Sequence, residues 1–149
     1  MANKLLVVIY GVESSGKTSI CNKFSEHLTI NPDKKEKKEK TRKNDFTAKG
    51  SLDEIRVGVI SFGDPDAGTY TALMENLEAY KNDVDALVVA CREGKEPYDS
   101  IKKFADDHSF KMEKLKTEKR SNRSKEEIDS ANANFAKEIA SKIKDFFNK

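Results

Sequence analysis

The sequence predicts an α/β domain, a mostly parallel sheet covered by helices on both faces. Three observations lead there. Apolar, β-branched runs at residues 4–10 and 86–91 read as strands buried on both sides. Stretches with apolar residues at helical spacing separate the strands. The chain of 149 residues has the length of one domain, so residues 1–149 are taken as a single unit.

The elements follow in order. Lys4-Leu5-Leu6-Val7-Val8-Ile9-Tyr10 is the first strand, and Gly11 ends it. Ile20, Cys21, Phe24 and Leu28 share one helical face, predicting a helix from Lys17 to about Thr29 that Asn31-Pro32-Asp33 stops. Residues 33–45 are dense in lysine with glutamate interleaved, which predicts a solvated linker or mobile loop. Phe46-Thr47-Ala48-Lys49 then pairs with residues 55–62 as a hairpin, with Gly50-Ser51 in the turn. Gly58 and Gly63 suggest a close backbone approach.

Residues 63–68 read as a loop by their turn residues. A helix follows with Tyr70, Leu73, Met74, Leu77 and Tyr80 inward, then the buried strand 86–91. Pro97 opens a third helix, with Tyr98, Ile101, Phe104 and Ala105 on its inner face. Residues 110–115 form an edge strand, and residues 116–123 a basic loop. The last helix starts near Ser124, where Ser-Lys-Glu-Glu fits a capping box, and buries Ile128, Phe135, Ile139, Ile143 and Phe146.

Composition narrows the function. The net charge is +2, so bulk charge does not make a nucleic-acid binder. No segment approaches the roughly 20 apolar residues that span a membrane, and residues 5–10 are too short for a signal-peptide core. Cys21 and Cys91 have neither disulfide-framework nor metal-like spacing, and fit thiols in a reducing cytoplasm. The expectation is a cytoplasmic protein with no membrane partner.

One segment carries specific chemistry. Gly11-Val12-Glu13-Ser14-Ser15-Gly16-Lys17-Thr18 matches G-x-x-x-x-G-K-[ST] between a buried strand and an amphipathic helix. Gly11 and Gly16 let the backbone wrap phosphate oxygens, so that successive N–H groups, from Val12, Glu13, Ser14 and Ser15 onward to Ser19, form an anion nest. The helix opening at Lys17 adds its dipole, and the Lys17 ammonium adds a full charge at the β and γ phosphates. The Thr18 hydroxyl is placed to coordinate Mg²⁺.

At these residues the chain resembles the P-loop NTPase superfamily. The resemblance implies a three-layer α/β fold and binding of a Mg-nucleoside triphosphate. The chain also resembles small bacterial P-loop proteins of uncharacterised function at Asn44-Asp45-Phe46, Ile60-Ser61-Phe62-Gly63-Asp64 and Ala90-Cys91-Arg92. That likeness brings no substrate. A hairpin whose second strand leads to an acid suits the kinase–GTPase branch, where that strand lies beside the phosphate-loop strand. The expected sheet is therefore five-stranded, mostly parallel, of order 2-3-1-4-5.

Such a site needs a carboxylate near the metal, at the carboxyl end of a neighbouring strand. Asp64 follows the strand 57–62 and is the expected second Mg²⁺ ligand, with Asp66 its competitor; Asp85 precedes its strand and sits at the wrong end. Residues 64–68 are similar to the D-x-x-G switch of small GTPases but one residue too long. Where a GTPase carries N-K-x-D, this chain has Arg92-Glu93-Gly94-Lys95. ATP becomes the default base, with GTP as the alternative.

Further candidates are weighed against plain structural roles. Asp45 could hold an acceptor hydroxyl, or be a strand-edge aspartate. Arg92, at the carboxyl end of its strand, could stabilise transferring phosphate, or pair with a nearby acid. Lys119, Arg120 and Arg123 precede the last helix in a loop that can border the base, with Arg120 taken as a nucleotide contact. The lysine run could meet an acidic partner or a nucleic-acid backbone, but no aromatics interleave to stack bases. His27 and His108 are read as unpartnered helix residues without a catalytic role. The expected function is an ATP-dependent phosphotransferase or ATPase with an unidentified acceptor. The alternative is a slow nucleotide-dependent switch that binds a protein partner.

Overall fold

The computed structural model describes residues 3–11, 17–42, 45–61, 67–92, 95–117 and 124–148. Among these the chain order is β1 (Lys4–Gly11), α1 (Lys17–Ser25), a 3-10 turn (Pro32–Lys34), β2 (Lys37–Arg42), β3 (Asp45–Leu52) and β4 (Ile55–Ser61). Then come α2 (Ala67–Tyr80), β5 (Ala86–Arg92), α3 (Lys95–Asp107), β6 (Phe110–Lys116) and α4 (Lys125–Phe147).

The sheet has six strands in the order β2-β3-β4-β5-β1-β6. This overturns the expected five-stranded 2-3-1-4-5 sheet. β1 pairs in parallel with β5 and β6, and β4 pairs in parallel with β5, while β3 is antiparallel to both β2 and β4. The sheet is therefore mixed, and β3 alone runs against the other strands described. β5 lies between β1 and β4, so the strand leading toward Asp64 is not the neighbour of β1. The strand-order ground for the kinase–GTPase branch goes with it.

Side-chain size explains the centre of the sheet. Leu5, Val7 and Ile9 share one face with Ala86, Val88 and Ala90 of β5, and this face packs Ile20, Cys21 and Phe24 of α1 and Ala136, Ile139 and Ile143 of α4. The two alanines of β5 leave room for α1 to cross it, which suits β5 to the middle. The opposite face, with Leu6, Val8, Leu87 and Val89, packs Leu73, Leu77 and Tyr80 of α2 and Ile101, Phe104 and Ala105 of α3. Strand alternation sends consecutive residues to opposite faces, so β1 and β5 are buried on both.

The sixth strand comes from the basic run. Within the expected linker at 33–45, the described residues up to Arg42 instead complete the 3-10 turn and form β2, paired along β3. Composition says solvated, and residues 37–40 are indeed exposed, but specific contacts order the chain. Glu36 is buried, its two carboxylate oxygens accepting from the Asn31 N–H and the Ser51 hydroxyl, both at 2.8 Å. The Lys38 ammonium donates to Ser25 Oγ at 2.9 Å and lies 4.7 Å from the Phe46 ring centroid. A lysine-rich strand suits a sheet edge, where charge discourages unwanted pairing.

Two boundaries also shift. α1 ends at Ser25 and tightens into i→i−3 bonds through Leu28, short of Thr29. The hairpin turns at Asp53-Glu54, not Gly50-Ser51; both turn residues take left-handed φ values, 47° and 72°, as a two-residue type I′ connection requires. Gly50 sits instead where the chain after α1 passes, and an added Cβ would lie 3.0 Å from the Thr29 carbonyl oxygen. At α4 the expected cap is present, with the Glu127 N–H donating to Ser124 Oγ at 3.1 Å.

Gly58 does mark a close approach. A Cβ there would lie 2.6 Å from Cδ2 of Tyr80, whose ring also carries the Lys49 ammonium at 5.0 Å. Lys49 bonds Asp83 at 3.0 Å and holds that carboxyl below its usual range. Gly58→Ala is therefore expected to destabilise the fold by about 1–3 kcal/mol, read as a lower urea midpoint at unchanged slope.

Candidate functional site

Five strands run in the same sense, so their carboxyl ends share one edge. Gly11 ends β1, Ser61 ends β4, Arg92 ends β5 and Lys116 ends β6. Gly11 and Arg92 are directly paired across the β1–β5 ladder, and Ser61 pairs with Ala90 on the next ladder. Each of the four helices described follows one of these strands, so each begins at this edge and directs its unpaired N–H groups and positive dipole end toward it.

The layout contains a switch point. The helix after β1 lies on one face of the sheet, while the helices after β4 and β5 lie on the other. Chain paths thus diverge between β1 and β5, and in open α/β sheets ligands bind in the crevice at such a divergence. The Gly11–Arg92 pair stands at its base.

The expected site residues distribute as follows. Lys17 is the first residue of α1, Thr18 is half-buried and Ser19 exposed in the same turn. Asp45 is the first residue of β3, at the same edge but three strands from β1; at the usual strand spacing that is roughly 14 Å away. Arg92 closes β5. Val12, Glu13, Ser14, Ser15, Gly16, Asp64, Asp66, Lys119, Arg120 and Arg123 lie outside the described residues. Asp85 is at the amino edge, as its position predicts, accepting from the Arg56 N–H at 3.1 Å.

The histidines correct a smaller expectation. Both lie in turns just past helix ends, and His108 has a partner, Glu78 Oε1 at 3.4 Å, besides a ring contact with Phe104 at 4.7 Å. Cys21 is buried in the core on the α1 side of the sheet. Among the described residues no three His, Cys, Asp or Glu side chains gather as a metal site, and no helix is long and apolar enough to cross a membrane.

One residue was missed by the sequence reading. Ser61 is fully buried, and its hydroxyl finds no hydrogen-bond partner among the described residues. It lies on the α1 side of the sheet by alternation with Val57 and Val59. A buried polar atom without a partner is costly, and its place at the carboxyl end of β4 makes it a group that a polar ligand could satisfy. The available signal was a hydroxyl between Ile60 and Phe62 near the end of a largely apolar run.

The amino edge has a different character. An open cleft of about 840 Å³ there is lined by Lys34, Lys35, Lys49, Arg56, Glu36 and Asp83 among others. Within it Lys49 pairs with Asp83, and the Glu36 carboxylate accepts from the Asn31 N–H and the Ser51 hydroxyl. The clear pKa shifts among the described residues are of this surface kind. Lys37 and Lys103 are raised by hydrogen bonds to Glu39 and Asp107, and Glu78 and Asp83 are lowered by Lys81 and Lys49.

No protein-family model and no curated protein matches the chain. A solved structure titled "Crystal structure of APE1195" aligns with 99% of this chain and 78% of its own, at 12% identity and a TM-score of 0.46. That likeness is too slight to bear on activity.

With no partner among the described residues, the buried Ser61 hydroxyl carries a desolvation cost in the free protein that its removal relieves. Ser61→Ala is expected to raise the unliganded stability by about 1 kcal/mol, seen as a higher urea midpoint.

Proposed function

We propose that the chain binds a Mg-nucleoside triphosphate, ATP by default, at the carboxyl edge beside β1, and hydrolyses it or transfers its terminal phosphoryl group. The observation that carries this reading is the position of the G-x-x-x-x-G-K-T residues. They span the end of a central buried strand and the first turn of the helix after it, at the divergence of chain paths between β1 and β5. Backbone N–H groups and a helix dipole favour an anion at such a place.

The donor set fits the group. Lys17 would pair with the β and γ phosphates, and Thr18 and Asp64 would hold Mg²⁺, which supplies charge neutralisation of the phosphates. The Ser61 hydroxyl, two strands from β1 and without a partner among the described residues, supports a polar occupant of this edge. Arg92, paired with Gly11, lies in register with the start of the phosphate-binding residues and would stabilise transferring charge. Asp45 is three strands away, which suits an acceptor contact better than a phosphate contact. Catalysis on this reading is positioning and charge stabilisation.

Lys17→Ala is expected to abolish or greatly weaken Mg-ATP binding in a calorimetric titration while the thermal melt is preserved; unchanged affinity would sink the proposal. Asp64→Asn is expected to reduce the Mg²⁺ dependence of hydrolysis more than nucleotide affinity, because a metal ligand acts where charge develops. A larger effect of Asp66→Asn in the same assay would move the metal role to Asp66.

A further inference from the structure

An aromatic cluster flanks the proposed site on the α3 side. Tyr10 is the residue before Gly11, and its backbone pairs with Cys91 of β5 and Lys116 of β6. Tyr98 is in the first turn of α3, which starts at the same edge. The two rings have centroids 5.9 Å apart at an interplanar angle of 51°. The Lys114 ammonium, on an exposed side chain of β6, lies 5.3 Å from the Tyr10 centroid and 5.0 Å from that of Tyr98. Both rings are half-buried and pack against the core.

We infer that Tyr98 and Tyr10 form the platform for the purine base of the nucleotide, with Lys114 as a mobile cover. The inference rests on the phosphate site proposed above and extends it to the base. A base attached through ribose to phosphates held after Gly11 lies within a few residues' reach of β1's end. Two tyrosines there offer π-faces fixed by the fold, one on a strand and one on a helix, so stacking costs little ordering. Lys114 marks the position a ring would take, since its cation already sits over both faces. Base stacking on an aromatic side chain outweighs an exposed cation–π contact, so a purine can displace the lysine. The displaced ammonium remains a donor for ring nitrogens or a carbonyl at the base edge.

Stacking of this kind reads ring size more than ring substituents. ATP and GTP are expected to bind within about a hundredfold of each other. Pyrimidine nucleotides should bind less well, and Mg-tripolyphosphate, which has no base, least.

The test titrates full-length protein with Mg-ATP and with Mg-tripolyphosphate. The chain has four tyrosines and no tryptophan, so tyrosine emission reports ring stacking directly. Tyr98→Ala is expected to weaken Mg-ATP about tenfold, to leave Mg-tripolyphosphate unchanged, and to remove most of the emission change that ATP causes; Tyr98→Phe should restore ATP affinity. Unchanged tripolyphosphate binding also shows that the variant is folded. An effect on ATP below about twofold, or equal weakening of ATP and tripolyphosphate, overturns the platform and leaves the phosphate site standing. If the unaltered protein binds neither ligand, the phosphate site itself falls and the platform with it.

Discussion

The parallel pairing of β1 with β5 is the constraint on which the rest depends. Seven registered residue pairs run from Leu5–Ala86 to Gly11–Arg92, and both strands are buried on both faces. Continuous apolar strands of this kind are stable only when helices cover both sides. The register places Gly11 beside Arg92, and the helices that leave these two strands go to opposite faces. The crevice proposed as the nucleotide site is thus a consequence of core packing, with Ala86 and Ala90 making the room that α1 needs.

The two edges of the sheet differ electrostatically for topological reasons. At the carboxyl edge four helices begin, with the positive ends of their dipoles there, and the buried Ser61 hydroxyl has no partner among the described residues. At the amino edge two ion pairs form, Lys49 with Asp83 and Arg56 with Asp85, and the Glu36 carboxylate accepts from the Asn31 N–H and the Ser51 hydroxyl. These contacts tie β2, β3 and the chain before β5 together. Exposed pairs contribute little individually, but the buried Glu36 fixes the start of β2.

Most elements were legible because their signals are local. Leu5 to Ile9 and Ala86 to Ala90 announce buried strands by composition, and Ile139 with Ile143 announces the inner face of α4 by spacing. Ser124 and Glu127 announce the cap that starts that helix. The basic run misled because lysine content reports solvation, and an edge strand can be solvated and still paired; Glu36 and Lys38 order it through contacts with residues up to 15 positions away. The hairpin turn misled because glycine usually marks φ > 0, yet Asp53 and Glu54 take it here while Gly50 serves a close contact.

By itself the sequence determined the type of each described strand and helix except β2, and it singled out the one segment whose residues match a phosphate-binding motif. Hydrophobic period, capping and turn residues act over a few positions, and so does the spacing of Gly11, Gly16, Lys17 and Thr18. Only the tertiary structure decided the strand order, the membership of β2 in the sheet, and the neighbours of each edge residue. β1 and β5 are equally apolar on both faces, so nothing local tells which of them lies beside β4. The tertiary pairing makes that choice, and it sets Gly11 next to Arg92 and Tyr10 next to Tyr98.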